Sequence, residues 1–107
     1  MTENNKVYEL KFDKKFTRKY KNLGRSLQIE GDKKIQRLKR NPKDQGKPLK
    51  FFHNLYEFHL QMYRIFYIIH EQKVNVLFIG LEHKDETDKY LRSLTKDKIN
   101  SLMNENL

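Results

Sequence analysis

One stretch limits the choice of fold more than any other. Met62–His70 (MYRIFYIIH) is aromatic and β-branched almost without polar interruption, and Val74–Leu81 (VNVLFIGL) repeats that character after the short segment His70–Lys73 (HEQK). Runs of this length and composition read as central strands covered on both faces. HEQK then reads as a hairpin turn, although it holds no glycine to supply a positive φ. Just upstream, Leu55–Leu60 (LYEFHL) alternates Tyr56, Phe58 and Leu60 against Glu57 and His59, the period of a strand with one buried face.

The first half of the chain has a different rhythm. Tyr8–Phe12 (YELKF) alternates as a short strand, and Asp13 suits a helix N-cap. Phe16, Tyr20 and Leu23 follow at helical spacing, with Gly24 as the stop. A second helix begins near Ser26. Leu27, Gly31, Ile35 and Leu38 line one side of it, and Asn41-Pro42 ends it because the residue before proline is pushed out of the helical region. Asn41–Leu49 (NPKDQGKPL) reads as loop. After the last strand, Asp85 can cap a helix carrying Tyr90, Leu91 and Leu94, and Thr95 or Asp97 can start a further short turn using Ile99, Leu102 and Met103. The order β-α-α-β-β-β-α keeps helices and antiparallel strands apart. It indicates an α+β fold: a helical hairpin packed on a small antiparallel sheet, in one domain over residues 1–107 with a helical extension over 86–104.

Charge follows the same division. Residues 1–50 hold 16 Lys and Arg against 6 Asp and Glu, a net of +10, whereas residues 51–107 hold 7 against 8, a net of −1. The overall +9 points to a polyanionic partner, since each phosphate neutralised releases counterions. With no cysteine there is neither a disulfide framework nor a thiolate site. The apolar runs Ile65–Ile69 and Val76–Leu81 fall far short of the ~20 residues that span a bilayer, and MTENNK lacks the apolar core of a leader. The expectation is a basic intracellular domain without membrane contact.

Specific strings sharpen this. YELKF (8–12), two helices, RNP (40–42), QGKPLK (45–50), LYEFHLQMYRIFYII (55–69) and KVNVLFIGLEHKD (73–85) occur in an order that resembles the RelE/ParE family of type II toxins, over about residues 7–92. The resemblance implies a cytoplasmic toxin, neutralised by a cognate antitoxin, that needs no cofactor or metal. In the RelE branch such a toxin cleaves mRNA on the ribosome; in the ParE branch it inhibits DNA gyrase. The fold alone does not choose between them.

By resemblance, Arg64 matches the arginine of the family's YR pair, Lys84 stands where an arginine is frequent, and Tyr90 aligns with a late tyrosine that orients a base. Two lysines of ribosome-dependent members are replaced by Glu57 and His59. A carboxylate and an imidazole still serve as base and acid, and His83 adds a third titratable group. The expected catalytic set is therefore Glu57, His59, Arg64, His83, Lys84 and Tyr90. Lys33, Lys34, Arg37, Arg40, Lys43, Lys47 and Lys50 are expected to rest on ribosomal RNA. The plain alternatives are a structural Arg64 paired with Glu57 or Glu82, surface roles for His53, His59 and His83, and a basic RNA-binding module without toxicity. A metal site from His53, Glu57 and His59 is disfavoured, because their spacing does not bring all three to one side.

Overall fold

The computed structural model describes residues 6–106. The segment MTENNK, expected to lack the apolar core of a leader, lies outside the described residues apart from Lys6. In chain order the elements are β1 (Glu9–Phe12), α1 (Lys14–Lys21), α2 (Arg25–Arg37), α3 (Pro42–Gln45), β2 (Lys47–Pro48), β3 (Leu55–Leu60), β4 (Tyr63–His70), β5 (Asn75–His83), a 3-10 turn (Lys84–Glu86), α4 (Thr87–Ser93) and α5 (Lys96–Glu105). The fold is α+β, as its sequence order indicates.

The strands form one five-stranded sheet in the order β1-β5-β4-β3-β2. All neighbours are antiparallel except β1, which runs parallel to β5 with Leu10 opposite Val76 and Phe12 opposite Phe78. The sheet is thus mixed, not wholly antiparallel. The two helices that follow β1 carry the chain away, so the strand is reached again only when β5 returns beside it.

The two apolar central strands have cover on both sides. On one face, α1 and α2 bring Phe16, Ile35 and Leu38 against Phe58, Ile65, Tyr67 and Phe78. The rings of Phe12 and Phe78 stack with centroids 5.0 Å apart. On the other face, Leu94 and the partly buried Ile99, Leu102 and Met103 cover Leu55, Phe66, Ile68, Leu77 and Ile79. The C-terminal helices are therefore a second helical layer. Each fully buried aromatic or branched side chain contributes on the order of 1.5–3 kcal/mol relative to exposure, so both layers matter to stability.

Local chemistry explains most element ends. Asp13 caps α1, its Oδ2 accepting the Lys15 N–H at 3.1 Å, while its Oδ1 accepts from the Asn106 amide at 3.2 Å and ties α1 to the end of α5. Thr95 caps α5 by accepting the Lys98 N–H. Pro42 does not simply end α2, which stops at Arg37; it opens α3, where a missing N–H costs nothing. Lys47–Pro48 forms a two-residue edge strand inside the stretch read as loop. The β4–β5 turn lacks glycine, and Val74 adopts φ 51°, an unusual conformation for a β-branched residue.

Candidate functional site

The register sorts the candidate residues by face. His59 pairs with Arg64, and Arg64 with Glu82, so these three side chains form one row across β3, β4 and β5. One step along the strands, Lys47 pairs with Glu57, Glu57 with Phe66, and Phe66 with Gly80. Both rows lie on the face that α4 and α5 cover; the first lies at the end those helices leave open, whereas Phe66 and Gly80 of the second are already buried. His59 and Lys47 are exposed; Glu57, Arg64 and Glu82 are half-buried. Directly opposed Cβ atoms lie ~4.5–5.5 Å apart. Glu57 and His59, two residues apart on β3, are ~6.6 Å apart along the strand.

Tyr90, from α4, closes the covered side. Its ring packs on Phe66 with centroids 4.8 Å apart, and its hydroxyl lies where a Cβ on residue 80 would be. Gly80 is required there by close approach. Burial, with Glu82 and Asp13 nearby, raises the Tyr90 phenol above its usual range. This tyrosine is a wall of the open area, with one ring face already engaged.

Arg64 has no carboxylate partner among the described residues. Its Nη1 donates to the carbonyl oxygens of Gln61 and Tyr63, each at 3.0 Å. The structural alternative, a pair with Glu57 or Glu82, is not what the geometry holds. Glu82 is engaged by Lys19 of α1 instead.

His83 does not join the row. It pairs with Tyr63 and lies edge-on to that ring, with centroids 5.7 Å apart, on the face opposite Arg64. Its Nδ1 accepts the Asp85 N–H at 3.2 Å and so caps the 3-10 turn; Asp85, expected to cap the helix that carries Tyr90, lies inside that turn, and α4 follows Glu86 with no side-chain cap. Lys84 follows at the same end of the sheet. Its N–H donates to the Met62 carbonyl at 2.7 Å and its side chain is exposed.

The basic residues divide too. Lys33, Arg37, Arg40, Lys47 and Lys50 are exposed. Lys34 donates to the His59 carbonyl at 2.8 Å and pairs with Glu30 at 3.4 Å. Lys43 pairs with Glu71 at 2.8 Å. Because β2 spans only two residues, the β3 edge beyond it stays uncovered, and a notch of about 250 Å³ opens there between Lys34, Arg37, Gln45, Phe58 and His59. Cations thus flank the open rows from the α2 side. No group of three His, Cys, Asp or Glu side chains is placed to hold a metal ion among the described residues. No helix among them is long and apolar enough to cross a membrane.

Three residues of this area escaped the sequence reading in their actual positions. Lys47 falls in a stretch that reads as loop, yet it stands opposite Glu57. Glu82 and Lys19 are joined over 63 residues of chain, and no local pattern signals such a contact.

Comparison with known proteins agrees with this architecture. The family described as "ParE toxin of type II toxin-antitoxin system, parDE" matches residues 7–87. An Escherichia coli RelE toxin with two arginine-to-alanine substitutions, in the free state, superposes with a TM-score of 0.69 at 24% identity, over 82% of this chain and 99% of that one. The intact E. coli RelBE toxin–antitoxin complex gives 0.67 at 24% identity, over 72% and 96%. The RelBE2 toxin–antitoxin complex of Mycobacterium tuberculosis gives 0.64 at 22% identity, over 72% and 98%. At these identities the likeness is one of fold. No curated protein matches the chain.

Proposed function

The chain belongs to the RelE/ParE family of type II toxin–antitoxin toxins, and from that premise we propose that it is a ribosome-dependent mRNA endonuclease working at the open end of its sheet. One observation carries the reading: Glu57, His59 and Arg64 share one accessible face, and the Arg64 guanidinium is unpaired by any carboxylate among the described residues. Metal-independent RNA cleavage needs a base for the 2′-hydroxyl, a cation for the developing phosphorane, and an acid for the leaving 5′-oxygen. Glu57 fills the first role, Arg64 the second and His59 the third. Their spacing of ~6.6 Å lets Glu57 and His59 bracket one phosphodiester over Arg64. Lys47, opposite Glu57, and Lys84, at the strand end, add positive charge to the same area. His83 has no part in this chemistry, because it faces the other way.

The exposed cations of α2 and the following loop, with the notch beside His59, serve to dock the toxin on ribosomal RNA. The same surface suits an acidic antitoxin segment, and the RelBE complexes among the structural neighbours support a cognate antitoxin as partner. A toxin acting on ribosomes acts in the cytoplasm, and that is the compartment this reading implies.

The test is cleavage of mRNA on programmed ribosomes. Glu57→Gln should slow it about 100-fold, the ordinary cost of removing a general base. An unchanged rate sinks the assignment. A second reading, gyrase inhibition, has the ParE family match in its favour. Under it, mRNA on ribosomes stays intact and DNA supercoiling is blocked.

A further inference from the structure

Arg64 and Glu82 stand directly opposite each other on β4 and β5, on one face. Opposite charges in that position normally pair, with Cβ atoms ~4.5–5.5 Å apart. Here they do not. The Glu82 carboxylate takes the ammonium of Lys19, which reaches over from α1, while Arg64 turns its Nη1 to the carbonyls of Gln61 and Tyr63. The Glu82 side chain is only 16% exposed, so its charge requires a cation; Lys19, 51% exposed, is the one that supplies it. Two cations lie within reach of one carboxylate, and the helix wins over the neighbouring strand.

We infer that Lys19 is a positioning residue: by occupying Glu82 it keeps the Arg64 guanidinium unpaired and available to an RNA phosphate. The physical reason is competition. A guanidinium forked on a carboxylate must give up that charge-assisted pair before it can bind a phosphate, whereas its two carbonyl contacts are neutral and weaker. Lys19 is not a catalytic residue, because it acts only through Glu82. The phosphate half of the inference rests on the role given to Arg64 above. The pairing half rests on geometry alone.

Two measurements separate those halves. The first is a urea-denaturation cycle of Arg64→Ala and Glu82→Gln, run with Lys19 present and again after Lys19→Ala. With Lys19 present, the coupling between the two substitutions in the unfolding constant should stay within ~2-fold. With Lys19→Ala it should reach ~5-fold or more, as Arg64 and Glu82 find each other. Strong coupling in the presence of Lys19, or none in its absence, overturns the inference whatever the protein's activity. The second is single-turnover cleavage on programmed ribosomes. Lys19→Ala should lower the rate about 10-fold, Lys19→Arg should keep it, and adding Glu82→Gln to Lys19→Ala should restore it to within ~3-fold of the parent. A loss that Glu82→Gln fails to restore assigns Lys19 to docking and rejects the positioning role. If Arg64→Ala itself leaves cleavage unchanged, the nuclease reading and the phosphate half fall together, while the denaturation cycle still decides the pairing.

Discussion

Two charged regions lie at opposite ends of β4, about 23 Å apart along the strand, and they are built on opposite rules. Beyond its last residue, Glu71 accepts the Tyr8 hydroxyl at 2.6 Å and pairs with Lys43 at 2.8 Å, so one carboxylate joins the start of β1, α3 and the β4–β5 turn. Each group shifts as a closed cluster requires. The bond from Lys43, then that from Tyr8, holds the Glu71 carboxyl below its usual range, and the bond to Glu71 pushes the Tyr8 phenol up to about 12. At the other end, Arg64 has only backbone carbonyls for company, and the described residues give Glu57 no cation within ion-pair distance. Charges that satisfy one another hold the fold together. Charges left unsatisfied on an accessible face have capacity to spare for a ligand.

The largest expected effect tests that division at the open end. Arg64→Ala should slow ribosome-programmed cleavage about 100-fold, equivalent to about 2.7 kcal/mol of transition-state stabilisation. The melting temperature should shift by only a few degrees, because no ion pair and no core contact is lost and the two carbonyl bonds that go are not fully buried. A destabilised protein with full activity is the reverse result, and it would move Arg64 into the structural class.

At the closed end the expectation is inverted. The Tyr67 hydroxyl, fully buried, donates to the Pro42 carbonyl at 2.7 Å and fixes α3 beside Lys43. Tyr67→Phe leaves that carbonyl without its donor and should cost about 1–2 kcal/mol in urea denaturation. Cleavage should stay at the parent rate. If activity fell along with stability, the two ends would be coupled through the sheet and the contrast would fail.

Only the open half of this contrast has a signal in the sequence; the Glu71 cluster has none, because its partners Tyr8 and Lys43 are distant in the chain. The main strands and both halves of the helical hairpin follow from periodicity, and Glu57 and His59 fall on one face because LYEFHL alternates cleanly; Arg64 lies in a strand that is apolar on both sides, and only its pairing with His59 sets it on that face. The face of His83 was illegible. VNVLFIGL is apolar on both sides, so no alternation remains to count from, and an irregularity in register at Phe66/Tyr67 shifts the pairing with β5 as well. The parallel seating of β1 beside β5 depends on contacts across more than 60 residues. β2 is too short to show a period, which hid Lys47 from its place next to Glu57. Local sequence therefore set Glu57 and His59 on one face but did not give the residues around them.

The smallest effect concerns Glu71, whose surroundings are half open to solvent, so screening limits what its pair with Lys43 contributes. Its sign is nonetheless definite. The folded carboxyl titrates below the usual 4.5, so the stability that Glu71 adds is complete above pH 4.5 and is lost as the pH falls through the lower folded value. The Tyr8 share behaves in the opposite sense. With the phenol raised from 10.0 to about 12, its contribution is complete below pH 10 and is lost as the pH rises through about 12. The stability difference between the parent protein and Glu71→Gln should therefore be flat through neutrality, shrinking on the acid side below 4.5 and on the alkaline side above 10. Arg64→Ala gives the matching control, since a guanidinium keeps its charge across that whole span and its own difference should not follow the same profile. A Glu71→Gln difference that ignores pH would mean the cluster closes without contributing, and the distinction between the two ends of β4 would then rest on the open end alone.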